Sequence, residues 1–426
     1  MRTLDFISIR LHVHAVLAYT LAMAPADTLR RAGNRLREFG PFGKTEPIPR
    51  ILVVSNYGNL GGGAAAVFRD MALALREKRP DLDVVAVYPW KGSLAAECAR
   101  HGIRTKIAWI PPWAFLERWR RPRAEALIGA IPRGALLLVG ILQAVFLLIR
   151  LRPAMVVSNT MLIPSHAVAA KLLGIPHYWM VHEFGRDDHH LRFLFGYRRT
   201  ILLIGQLSEA VICNSQAVEK ALLAVDPKMR SHVIYPVVDT PLCTPQERRP
   251  GELMRAILIG RLAKSKGQHI AVEAIAIARQ AGVDIELALI GAGDQKPIRE
   301  LAQRLGVEDL VSLHGPTSDV GLYWSTAHVG LMCSECEAFG LVTVEAMRAG
   351  LPVCGTNTGG TPEIIDSGVN GLLSPAGDAN ALAANLMALE SDEDLRRKFA
   401  SRAADTTERF RREHYGDELA PILGLG

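Results

Sequence analysis

The chain has 426 residues, 49% of them hydrophobic, which exceeds what one ordinary core needs and is enough to fill two α/β domains. This composition excludes a disordered chain, whereas the net charge of +6 and pI near 9.0 admit nucleic acid, an anionic substrate or an anionic membrane face without choosing among them. The six cysteines form no regular framework, which favours a reducing compartment, and the C-x-x-C of Cys333 and Cys336 lacks the second pair or histidine cluster a zinc site needs.

Residues 1–49 read as an N-terminal extension. The apolar run Ala15 to Ala24 ends in Ala22-Met23-Ala24, which imitates a signal-peptidase site, but it is short and starts beside His12 and His14; we read it as a decoy. Asp27 then suits the N-cap of a helix with Leu29, Leu36 and Phe39 on one side and Arg30, Arg31, Arg35 and Arg37 around it. Such a helix fits an anionic membrane surface or packing on the domain equally well.

Residues 50–239 read as a first Rossmann-like domain. The buried-strand run Ile51 to Val54 leads into a glycine loop ending Gly61-Gly62-Gly63 and a helical pattern from Ala64 to Leu75, the opening of a doubly wound sheet. Glycines let backbone approach a ligand, and the helix start offers amides to phosphate. After a strand at Asp83 to Tyr88, the segment Pro111 to Arg123 interleaves Trp113, Phe115 and Trp119 with four arginines, suiting a lipid interface or a phosphorylated acceptor. Gly134 to Ile149 gives sixteen residues without a charge, short of the ~20 of a spanning helix, and is expected to be part core and part membrane-dipping. Strands at Met155 to Val157 and Tyr178 to Val181 deliver Ser158-Asn159-Thr160 and His182-Glu183 at their carboxyl ends, where α/β sheets bind ligands. A histidine placed there can hydrogen-bond a sugar hydroxyl. Val211 to Ser215 and Val233 to Asp239 complete the domain, and a polar, proline-containing linker occupies residues 240–252.

The second Rossmann-like domain spans residues 253–400. A strand at Ala256 to Ile259 runs into Gly260-Arg261 and on to Lys266-Gly267, so that a planar guanidinium and a compact ammonium can reach one anion. Leu287 to Asp294 contains G-x-G but no third glycine, which argues against a dinucleotide site. Val311 to His314 precedes Gly315-Pro316-Thr317. The densest stretch follows: a strand at Val329 to Met332, then Glu337, the turn Ala338-Phe339-Gly340, and a short helix marked by Leu341, Val344 and Met347 and stopped by Gly350. Glu337 falls on the loop before that helix and Glu345 about one turn inside it. The free amides from Phe339 to Val342 suit a phosphate, and carboxylates that only accept hydrogen bonds suit a vicinal diol, so the pattern points to a sugar-nucleotide pocket. Helices at Ala379 to Glu390 and Asp394 to Arg412 cover the second sheet, and residues 401–426 form a C-terminal helix and tail.

Glu337 and Glu345 with seven residues between them, Gly350-Leu351-Pro352-Val353, and Gly359-Gly360 with Glu363 together resemble the donor site of the family 4 retaining glycosyltransferases of the GT-B fold. The resemblance covers residues 51–412 and implies two Rossmann-like domains facing a cleft, with the tail crossing back to the first. It implies a nucleotide-diphosphate sugar, UDP- or GDP-linked, as donor substrate, with no metal or other cofactor. By the same resemblance Glu345 holds the ribose, Arg261 and Lys266 the diphosphate, and Glu337 the transferred sugar, with His182 in the cleft; Glu337, Lys266, Arg261 and His182 are the catalytic candidates. Gly62, Gly63, Gly260, Pro316 and the backbone of Phe339, Gly340, Leu341 and Val342 complete the binding set. The apolar and basic elements suggest a glycan or lipid-linked acceptor in envelope or extracellular polysaccharide or glycolipid synthesis, at the cytoplasmic face of the inner membrane. Two rivals are a sugar-nucleotide epimerase or hydrolase of the same fold, and a non-catalytic membrane-associated scaffold. Nucleic acid is not an expected partner, because no recognised module accompanies the positive charge.

Overall fold

The computed structural model describes residues 49–116, 130–186, 188, 191–239, 248–249, 251–317 and 319–425. The expected decoy run and membrane-surface helix in residues 1–48, the basic aromatic segment beyond residue 116, and most of the linker lie outside the described residues.

Fifteen strands are described. They are β1 (Arg50–Val54), β2 (Asp83–Tyr88), β3 (Arg104–Ile107), β4 (Ala114–Leu116), β5 (Met155–Asn159), β6 (His177–Val181), β7 (Leu191–Phe193), β8 (Ala210–Cys213), β9 (Ser231–Val233), β10 (Met254–Ile259), β11 (Ile285–Ile290), β12 (Val311–His314), β13 (Val329–Met332), β14 (Val353–Thr356) and β15 (Gly371–Ser374). The first sheet has the order β3-β2-β1-β5-β6-β8-β9, the second β12-β11-β10-β13-β14-β15, and both are parallel throughout; β4 and β7 form a small antiparallel pair. Helices cover both faces of each sheet, which is why the central strands read as unbroken apolar runs: Ile51 to Val54 are all fully buried, Ile51 and Val53 in one cluster and Leu52 and Val54 in another. Strand order reverses between β1 and β5 in the first sheet and between β10 and β13 in the second. Ligands of such sheets bind at these switch points.

Eight helices frame the site and its flanks: α1 (Gly63–Lys78), α2 (Ala130–Leu151), α3 (Ser165–Leu173), α4 (Gln216–Leu223), α5 (Gln268–Gln280), α6 (Leu341–Arg348), α7 (Glu393–Thr407) and α8 (Arg412–Ile422). Two differ from expectation. The uncharged run at 134–149 lies within the 22-residue α2, because alanine, leucine and the flanking arginines continue the helix past the run. Its stretch Arg133–Leu151 is long and apolar enough to cross a membrane by length and composition. One face is nevertheless committed to the domain, with Leu137 and Ile141 packed beside α3 and Ala144 and Leu148 beneath it. Gly140 permits close approach on this face, since a Cβ there would lie 2.5 Å from the Pro111 ring and 3.0 Å from Ser165 Oγ at the start of α3. The opposite face leaves Leu138, Val139, Leu142 and Phe146 more than half exposed.

The single helix expected over 394–412 is broken. α7 ends at Thr407, Glu408–Phe410 make a 3-10 turn that buries Phe410, and α8 starts afresh at Arg412. α8 packs on α1, where Tyr415, Leu419 and Leu423 enter the first domain's core. Arg412 reaches Asp70, Glu77 and Asp239 there.

Candidate active site

The loop after β10 carries the cationic candidates. Gly260 hydrogen-bonds back to Ile290 O, and the chain turns through a 3-10 segment, Lys264–Lys266, ended by Gly267 at φ 71°. A Cβ on Gly267 would sit 1.9 Å from Cys333 O, so this loop lies backbone-on-backbone against the one after β13. Glu335 N donates to Ser265 O at 2.9 Å across the same seam. Buried Gln268, the first residue of α5, braces the turn by donating to Arg261 O at 3.1 Å and accepting from Ala263 N at 3.4 Å. Sequence reading missed Gln268, whose only signal was a polar residue at a helix start.

Across the seam Lys266 Nζ lies 2.6 Å from Glu337 Oε2, with the Ser334 hydroxyl donating to the same oxygen at 3.0 Å. Thr356 in turn donates to Ser334 O at 2.8 Å. The ammonium and carboxylate expected to take separate parts of one ligand thus hold each other. Arg261 stands exposed on the same loop, and its guanidinium has no ion-pair partner among the described residues.

Gly360 N donates to Glu337 O at 2.8 Å, and a Cβ on Gly359 would fall 2.0 Å from that oxygen. Gly359-Gly360 therefore lets a neighbouring turn pack directly on the backbone presenting Glu337. Next, Gly340 at φ 103° starts α6 with no side chain capping it, which leaves the first-turn amides to another acceptor. Phe339 anchors this turn from behind, its ring 5.7 Å from Tyr235 and 5.3 Å from Phe410. Glu345 lies one turn into α6, as expected, its carboxylate without a hydrogen-bond partner among the described residues; burial pushes that carboxyl up to about 7. Pro316 is exposed at the end of edge strand β12, two strands from the switch point.

The first domain meets this surface directly. A Cβ on Gly63 would lie 3.1 Å from Leu341 Cδ1, so the first glycine loop faces the start of α6; Gly62, at φ 104°, turns the chain into α1. Glu363 crosses between domains, its carboxylate accepting from Gln216 N and Ala217 N at the start of α4, each at 2.8 Å, and from the Tyr235 hydroxyl at 3.0 Å. The motif had marked Glu363 without this partner. His182 leaves the end of β6 with Nε2 2.6 Å from Asn159 Oδ1, and burial pushes its ring down to about 4. Glu183 beside it accepts from Met161 N and His182 N, and burial pushes its carboxyl up to about 8. Asp188 is tied to its own loop by Phe184 N at 2.8 Å. Among the described residues no three histidines, cysteines or acids are grouped to hold a metal ion.

Two parallel Rossmann-like sheets, with polar loops at both switch points turned on one another, define the GT-B class. The model of "Glycosyltransferase Family 4" matches residues 61–241 and that of "Glycosyl transferases group 1" residues 244–406. The chain belongs to this glycosyltransferase family. It is 38% identical over 133 residues to the N-acetyl-alpha-D-glucosaminyl L-malate synthase of Bacillus anthracis, covering 31% of this chain and 35% of that one. It is 30% identical over 213 residues to the amylovoran biosynthesis glycosyltransferase AmsK of Erwinia amylovora, covering 47% and 49%. These matches span between a third and a half of the relatives' lengths. Among solved structures, Anabaena HepE in complex with UDP superposes with a TM-score of 0.70 at 22% identity, covering 88% of this chain and 99% of that one.

Proposed function

We propose that this chain transfers a sugar, with retention of anomeric configuration, from a nucleoside-diphosphate sugar to a saccharide acceptor in the synthesis of an envelope or extracellular polysaccharide. The observation that carries the proposal is the joining of Lys266, Glu337 and the uncapped start of α6 on adjoining loops at one switch point, with the buried Glu345 carboxyl one turn further along that helix. In this reading the diphosphate lies against the first amides of α6, takes Lys266 from its pairing with Glu337, and draws in Arg261. Glu345 receives the ribose diol, and Glu337, freed of the ammonium, receives hydroxyls of the transferred sugar. The acceptor hydroxyl attacks the anomeric carbon on the face the phosphate leaves, the bond to the phosphate oxygen breaks, and that oxygen takes the hydroxyl's proton. Negative charge grows on the leaving phosphate, so the cations and the helix start stabilise the transition state more than the ground state. No metal is needed for that stabilisation.

The UDP bound by HepE supports a uridine donor, and the amylovoran relative supports a polysaccharide acceptor. The exposed apolar face of α2 supports attachment to the cytoplasmic membrane face, where a lipid-linked acceptor would be presented. The test is a panel of UDP- and GDP-sugars screened for protection against heat, followed by product analysis with and without saccharide acceptors, in EDTA. Stabilisation by one donor and acceptor-dependent product of unchanged anomeric configuration are expected. Turnover without acceptor would instead identify an epimerase or hydrolase, and vesicle binding without nucleotide affinity a scaffold.

A further inference from the structure

Asn159 is the last residue of β5 and fully buried, and the chain turns immediately after it through Thr160 at φ 79°, a left-handed conformation costly for a β-branched residue. Its amide spans two elements: Nδ2 donates to Ala64 O, in the first turn of α1, at 3.0 Å, and Oδ1 meets His182 Nε2 at 2.6 Å. A backbone carbonyl only accepts, so the amide nitrogen must face Ala64 and the amide oxygen must face the ring. That oxygen in turn can only accept, so the hydrogen lies on Nε2 of His182. Every other polar group of this histidine but one is also engaged. Its N–H donates to Glu183 Oε2 at 3.0 Å and its carbonyl accepts from Asn214 Nδ2 at 3.3 Å, whereas Nδ1 is shut off from solvent without a partner among the described residues.

We infer that Asn159 is a positioning residue for sugar transfer, which fixes His182 in the Nε2–H tautomer and ties it to the glycine loop, leaving Nδ1 as the ring's one acceptor. Nδ1 is closed off in the ligand-free fold; once substrate binding uncovers it, a bare ring nitrogen receives a hydroxyl and repels a phosphate oxygen, so His182 held this way serves the sugar or acceptor end of the cleft. Because Ala64 directly follows Gly61-Gly62-Gly63, any shift of that loop on ligand binding is transmitted through Asn159 to the ring. The functional half of this inference rests on the transferase reading; the tautomer does not.

Nitrogen-15 imidazole spectra of the full chain, with His182 assigned by comparison with His182→Gln, test it without substrate. The parent is expected to show a protonated Nε2 and a bare Nδ1 at pH 7. Asn159→Ala should move both signals toward the averaged values of a tautomer mixture, and Asn159→Asp, which keeps the shape but faces the ring with a carboxylate, should move them toward imidazolium. In the transfer assay Asn159→Ala should lower kcat by about tenfold while KM for the nucleotide sugar changes by less than about twofold. Parent-like nitrogen signals in the Ala and Asp variants, whatever their activity, would overturn the proposal; should the Ala variant not fold, the isosteric Asp variant decides alone. Failure to find any transferase activity would leave the spectra unchanged, so the two readings fail separately.

Discussion

Replacing Lys266 and Glu337 one at a time should move nucleotide affinity in opposite directions. In the free protein the two are paired at 2.6 Å, with side chains 29% and 18% exposed, so a diphosphate must take the ammonium from a partner it already has. A pair this accessible to water is worth ~0.5–1 kcal/mol. A unit charge on a phosphate oxygen ~4 Å from the ammonium attracts it by ~4 kcal/mol at an effective dielectric of ~20, of which a charge-assisted hydrogen bond keeps ~1.5–3 kcal/mol net. Lys266→Ala should therefore weaken UDP by ~10- to 100-fold and UMP by less. Glu337→Gln keeps the shape but releases the lysine, and should tighten UDP by ~2- to 5-fold even as transfer falls by ~100-fold. Titration calorimetry with UDP, UMP and GDP measures the affinities, and a coupled UDP-release assay the rate. If both substitutions weaken UDP by the same factor, the competition between Glu337 and phosphate for Lys266 does not exist.

Three further outcomes follow from buried titratable and apolar groups. The Glu345 carboxyl is raised to about 7 in the fold, so the unfolded chain ionises first and stability falls as pH climbs from about 4.5 to about 7; Glu345→Gln should raise the melting temperature at pH 8 but not at pH 4, and an equal shift at both would contradict this. His166 is fully buried, neither ring nitrogen has a partner among the described residues, and burial pushes it down to about 4, so its share of stability is complete above pH 6.5 and lost as pH falls toward 4. His166→Leu should flatten the decline in urea midpoint between pH 6.5 and 4.5, and parallel curves would exclude the effect. On α2, Leu142→Glu with Phe146→Glu should reduce sedimentation with anionic vesicles by ~10- to 100-fold without lowering UDP affinity; unchanged sedimentation would remove the membrane assignment from this face.

What could be read from sequence was whatever depends on neighbours in the chain. β1, the glycine loop and α1 were legible because a strand buried on both faces is an apolar run and a helix start needs glycine to bring backbone close. Glu337 and Glu345 were legible because loop and helix spacing fixes their offset. Asn159 was singled out only as a polar strand end, since its partner Ala64 is 95 residues away. Gln268 likewise bonds to backbone on a turn whose shape no local pattern dictates. The break at Glu408–Phe410 was missed because propensity favours a continuous helix, whereas burying Phe410 against Tyr235 and Phe339 requires the turn. The reach of α2 was underestimated because its uncharged run stops short of the helix that contains it.

The seat of α8 on α1 bears on how the protein is made. Lys78 and Asp417 meet although 339 residues separate them, and Leu419 and Leu423 fill space beside Met71 and Leu75. On the ribosome the first lobe must wait with that face uncovered through the whole synthesis of the second, inviting chaperones or neighbouring nascent chains. A stop codon just before Arg412 would thus leave every loop of the donor site encoded, yet yield a product with its oily flank still bare.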